Sequence, residues 1–207
     1  MKNLLTLTLL GLCLVAAAPS SSAQTMEGPL KKKFQRANLL PLHDAASDTT
    51  SVYMMPMGLT GRWKDTPPLL TAALGSPVEG IRFTVYFTYP GRAYAPPRQV
   101  MFRLNSTNRG GPGLTSGEEV EVALKADGVV VSSAKSAVKT HGFKSDNPKS
   151  DTEYVEQMSD IPLTVEELGR LAASKKAEVV VAGRSIPLKG QHLKALQRVA
   201  DAIAAEK

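Results

Sequence analysis

Cysteine is nearly absent: the only one in the 207 residues is Cys13. An intrachain disulfide is therefore excluded, and with it the covalent staple on which many small exported domains depend. The three histidines, His43, His141 and His192, are far apart in sequence, and no C-x-x-C or H-E-x-x-H pattern occurs, so no zinc motif is present. There is also no G-x-S-x-G elbow and no glycine-rich strand-to-helix fingerprint for a nucleotide. Gly110, Gly111 and Gly113 lack the following lysine and helix of a phosphate cradle. These absences leave no cofactor implied by the residues. Aromatic residues make up 5% of the chain, with a single tryptophan, Trp63, so a stacking surface has few residues to draw on.

What is present begins with a leader-like segment. Lys2 precedes an apolar run over residues 4–18, and Pro19, Ser20, Ser21, Ser22 and Ala23 follow. A positive start, an apolar middle and a small-residue end are the three parts of an export signal, so residues 1–23 are expected to be removed before Gln24. The run is shorter than the roughly 20 residues that span a bilayer. Leu12, just before Cys13, is not the small residue that lipoprotein processing prefers. No later segment approaches spanning length, so the expectation is an exported protein, periplasmic or extracellular, without a transmembrane segment after cleavage. The charge is +6; the leader holds Lys2 and no acid, which leaves +5 on the rest. Such a protein is drawn weakly to anionic envelope surfaces and polysaccharides, although the same charge also serves solubility.

Residues 24–48 hold no sustained period and are expected to form a lead-in, mobile at its start. Val52 and Tyr53 favour a strand that ends near Pro56. The clearest strand covers 81–89, where Ile81, Phe83, Val85, Phe87 and Tyr89 alternate with polar positions. Val100, Phe102 and Leu104 repeat the pattern, and so do Val120, Val122 and Leu124. Asp127-Gly128 then predicts a tight hairpin. A further strand is expected over 152–158. Thr164-Val165-Glu166-Glu167 reads as a capping box opening a helix with Val165, Leu168, Leu171 and Ala172 on its apolar side. Strands at 178–182 and 185–188, turned by Gly183-Arg184, precede a last helix at about 191–205 with a stripe of Leu193, Leu196, Ala200 and Ile203. The pattern predicts a mainly β protein with an α/β C-terminal part. Its expected form is an antiparallel sandwich of immunoglobulin-like layout over residues 49–160, with a helix-hairpin-helix appendage over 161–207.

Several constellations invite chemistry. Ser132 with Lys135 and Ser136 with Lys139 fit S-x-x-K, Ser145-Asp146-Asn147 is S-D-N, and Lys139-Thr140-His141-Gly142 approaches K-T-G. Penicillin-binding proteins and serine β-lactamases use these elements, but gather them from distant parts of a larger fold. Here they crowd into residues 132–147, and a solvated basic loop is the expected structure over 134–150. His43 with Met54, Met55 and Met57 offers imidazole and thioether donors of the type that monovalent copper favours. Asn105-Ser106-Thr107 matches a glycosylation acceptor. Phe143 is the only aromatic among the lysines of 135–149, so no stacking platform, and no specific nucleic-acid partner, is expected. Trp63, between Arg62 and Lys64, suits either a partner contact or a cover for one end of the core.

The leading expectation is a non-catalytic exported module, binding or structural, that meets a protein or an anionic envelope polysaccharide. Trp63, Arg109, Lys135, Lys139, His141 and Lys144 form its expected contact surface. The alternatives are an enzyme whose site forms only in three dimensions, and a copper-handling protein built on His43 and the three methionines.

Overall fold

The computed structural model of the protein describes residues 34–35, 37–61, 79–110, 113–144 and 152–204. Ten strands and two helices follow in the order β1 (Leu39–Asp44), β2 (Thr49–Met54), β3 (Met57–Gly58), β4 (Gly80–Pro90), β5 (Gln99–Arg109), β6 (Glu119–Ala126), β7 (Val129–Lys144), β8 (Glu153–Thr164), α1 (Val165–Ala173), β9 (Ala177–Val181), β10 (Arg184–Leu188) and α2 (Gly190–Ala204). All the strands belong to one antiparallel sheet of order β1-β2-β4-β5-β8-β7-β6-β9-β10, with β3 paired to β4 off this path. Among the described residues the protein is thus mainly β, with α1 and α2 in the C-terminal part.

Alternation explains the long central strands. Ile81, Phe83, Val85, Phe87 and Tyr89 of β4, Val100, Phe102 and Leu104 of β5, and Val120, Val122 and Leu124 of β6 are all buried, as the period of two requires. Phe83 and Phe102 stack diagonally across the β4–β5 pair, 4.9 Å between centroids, with Phe83 opposite Leu104 and Phe102 opposite Val85. Leu168, Leu171 and Ala172 of α1 join the same core, together with His192, Leu196, Val199, Ala202 and Ile203 of α2. The α2 stripe is therefore rotated from the expected one: Leu193 and Ala200 are only partly buried against the core. The capping box forms, with the Glu167 amide donating to the Thr164 hydroxyl at 3.1 Å and the Thr164 amide donating to the Glu167 carboxylate at 2.7 Å.

Two expectations need correction. The segment before residue 49 contains β1, whose Leu39, Pro41 and His43 are buried while Leu40 is exposed. Proline is tolerated there because β1 pairs on one side only, with β2. The expected basic loop is a strand as far as Lys144. β7 pairs with β6 over Val129 to Ala137 and then with β8 over Val138 to Lys144. Val131 and Ser136 are buried and Ala134 and Val138 pack against the core, but from Lys139 onward its side chains are exposed or half-buried, so this half forms a strand without an apolar face.

The turns follow local chemistry. Asp127 and Gly128 have φ of 50° and 84°, the two positive values of the tight hairpin turn. The Asp127 carboxylate also accepts from the amides of Lys175 and Lys176 at 3.1 and 2.9 Å, which ties the turn to the α1–β9 connection. The second C-terminal turn is Ala182-Gly183, one residue before its expected place, at φ of 46° and 79°.

Candidate functional site

Register gathers most of the expected contact residues at one end of the sheet, where β4 begins, β5 ends, β8 begins and β7 ends. Arg109 lies opposite Tyr154, which lies opposite Phe143; one step inward, Thr107, Glu156 and His141 share a row, and beyond it Asn105, Met158 and Lys139 share another. Alternation puts Lys139, His141 and Phe143 on the same face. Phe143 stacks on Tyr154 at 5.6 Å and on His141 at 6.1 Å, with interplanar angles of 19° and 12°. The Arg109 guanidinium lies over the Tyr154 ring at 5.8 Å and pairs with Glu79. The result is a rail of stacked rings, closed by Arg109 at one end and open at the exposed face of His141. Phe143 therefore has ring partners after all; one of them comes from β8, out of view of any local reading.

Lys139 flanks this rail on the same face, while Lys144 ends β7 with its side chain on the opposite face. Lys139 has no acidic partner within ion-pair distance among the described residues, and Lys144 reaches Glu153 only at 4.0 Å. Lys135 is different: it sits in the half of β7 that pairs with β6 and is joined to Glu119. The hydrogen bond to Glu119, then its charge, raises the Lys135 ammonium above its ordinary value. Trp63 lies outside the described residues. The roots of its segment, Gly61 and Glu79-Gly80, meet closely: a Cβ on Gly80 would lie 2.2 Å from the Thr60 carbonyl oxygen. These roots stand at the same end of the sheet as Arg109.

Next to the rail, the same face carries two polar networks. Arg82 donates to Glu156 at 2.8 Å, and the Asn105 amide donates to the same oxygen at 3.2 Å. Asn105 is buried mid-strand by this contact, which spends the amide that glycosylation would use. Arg103 donates to both Asp160 oxygens at 2.7 and 2.8 Å, and the Tyr86 hydroxyl donates to Asp160 at 3.1 Å. Burial alone would raise the Asp160 carboxyl, but the Arg103 bonds and charge outweigh it and hold it below the ordinary range. Burial first, and the Asp160 charge second, push the Tyr86 hydroxyl up. Both carboxylates are thus engaged by arginine, an arrangement suited to fixing strands β4, β5 and β8 against each other.

The S-x-x-K positions do not converge. A spacing of three places Ser132 and Lys135, and likewise Ser136 and Lys139, on opposite faces of β7. Ser136 instead donates to the Asp160 carbonyl at 2.9 Å. Residues 145–147 lie outside the described residues. The copper set is also divided. His43 stands opposite Thr50 and Met54 opposite Leu39, four residues apart along β1, about 13 Å. The Thr50 hydroxyl donates to the Gly91 carbonyl at 2.6 Å and so accepts from His43 Nδ1 at 3.1 Å. Met54 is core, Met57 packs against the core, and Met55 is exposed. The three methionines line a cleft of about 280 Å³ with α2, a feature without any local signal in the sequence because it needs Lys194, Ala195 and Arg198 as its other wall. Among the described residues no three His, Cys, Asp or Glu side chains are grouped to hold a metal, and no helix is long and apolar enough to cross a membrane.

No protein-family model, no curated protein and no solved structure matches the chain.

Proposed function

We propose that this protein is an exported, non-catalytic binding module that holds an acidic envelope polysaccharide at the β5–β8–β7 end of its sheet. One observation carries the reading: side chains from three strands make a continuous stack, Arg109 over the buried Tyr154, then Phe143 and His141, with Lys139 on the same face. Cations on such a surface attract a polyanion, while ring edges and the open face of His141 offer the apolar contact that a sugar ring can use. The leader pattern of residues 1–23 supports export. The expected sandwich belongs to the same proposal: the β6–β9–β10 portion closes over the rest about the shared strand β7, a reading supported by the single apolar cluster to which both portions contribute.

Calorimetric titration of residues 24–207, which include every described residue, with an acidic and a neutral polysaccharide tests the function. Binding is expected for the acidic polymer only, weakening with salt. Lys139→Glu with Lys144→Glu is expected to weaken it about tenfold, and Phe143→Ala to weaken it with little change in salt dependence. Equal binding of both polymers, or no effect of the charge reversal, would refute the proposal. A protein partner is the second reading. It is favoured by the edge of β7 beyond Val138, which no strand among the described residues covers and which a peptide strand can extend. Crosslinking in the native envelope, with no polysaccharide binding, would select it.

A further inference from the structure

We infer that the cleft between α2 and the β2–β3 corner binds a small anionic amphiphile, an apolar tail bearing one carboxylate or phosphate head. Met54, Met55 and Met57 form one wall, Ala195 the opposite one, and Lys194 and Arg198 supply its charge. Lys194, Ala195 and Arg198 fall on one side of α2 by the helical repeat, and the small Ala195 leaves the space open. Methionine is the side chain best able to mould itself to an apolar chain, being unbranched and polarizable. Met55 is left 38% exposed, apolar surface that a tail would cover. The charges point the same way. Lys194 and Arg198 stand one turn apart, a like-charge spacing that works slightly against the helix. Among the described residues neither has an acid within ion-pair distance. Asp201, the acid of the same helix, is engaged by Gln197 at 2.8 Å. An anion between the two cations removes the repulsion. The cleft, about 280 Å³, is just below the roughly 300–1,000 Å³ of small-ligand sites, so it accommodates one short chain and excludes a two-chain lipid. This site shares no residue with the rail on the sheet and does not depend on the reading given to it.

Residues 24–207 carrying ¹³C-methyl methionine, titrated with decanoate below its micelle concentration, provide the test. Saturable shifts of the Met54, Met55 and Met57 methyls are expected. Decanol, neutral and of equal length, should bind about tenfold more weakly, and so should decanoate to the folded Lys194→Glu/Arg198→Glu variant. Ala195→Trp, which fills the cleft, should abolish the shifts; if it fails to fold, the charge-reversed variant decides alone. Unmoved methyls, equal affinity for decanol, or an unchanged affinity after charge reversal would overturn the inference. So would binding seen only with anionic phospholipid vesicles, which would assign the cations to a membrane surface.

Discussion

Ala182 holds φ of 46° in the turn between β9 and β10, a conformation that costs an L-residue with a Cβ about 1–2 kcal/mol and is milder for asparagine. The equivalent position of the β6–β7 turn is Asp127, a residue suited to it, and its carboxylate is further used by two amides. Replacing Ala182 by Asn keeps the amide that donates to the Glu121 carbonyl at 3.0 Å and relieves the strain. Ala182→Asn is therefore expected to stabilise the fold by about 0.5–1 kcal/mol, read as a rise in Tm of about 2 °C; an unchanged or lower Tm would show that the turn is not strained. The contrast also marks what single residues disclose. Asp127-Gly128 announces its turn in the sequence, whereas Ala182 does not, because nothing in its chemistry asks for a positive φ.

Strands declare themselves when one face is dry. The apolar alternation of β4, β5 and β6 made them legible, as did the capping box of α1. β1 was hidden by Pro41 and by Leu40 and Leu42, which place apolar residues at successive positions. β7 beyond Ser133 was hidden because its few core contacts come from Ala134, Ser136 and Val138 and water meets both faces further on, so a regular strand of lysines, serines and small residues reads as a loop. The rail was illegible for a related reason: Phe143 and Tyr154 meet only through the β7–β8 register, and Arg109 through the β5–β8 register. An open edge of this kind is guarded by charge. Lys139→Val with Lys144→Val is expected to make the protein self-associate with rising concentration, measured by light scattering, while the wild type remains at its original size. Equal behaviour of the two would mean that the edge is protected in another way.

At the scale of the molecule, α2 is tied to the sheet through His192, which is 1% exposed. Its ring meets Phe83 edge-on at 5.6 Å, and its Nδ1 accepts from the Lys189 amide at 3.0 Å. Burial, opposed by a hydrogen bond to the Gly58 backbone and aided by the Lys189 charge, holds the imidazole below its ordinary value and hence neutral. A folded pKa below the unfolded one contributes stability that is present above the unfolded value, about 6.5, and is lost as pH falls through the folded one. Asp160 has the same sign and adds its loss further down, below the ordinary carboxylate range. Tm is thus expected to decline in two stages on acidification, and His192→Gln to flatten the first stage between about pH 7 and 5. A wild-type Tm constant over that interval would dismiss the His192 anchor. The pairing of β6 with β9 bears on a different matter, the order of events during synthesis. Val122 to Ala126 wait for Ala177 to Val181 to supply their second neighbour, and the helices that cover the core flank those same residues in sequence. A ribosome has therefore to make the chain as far as α2 before the core can close, which leaves the emerging polypeptide open and threadable until that point.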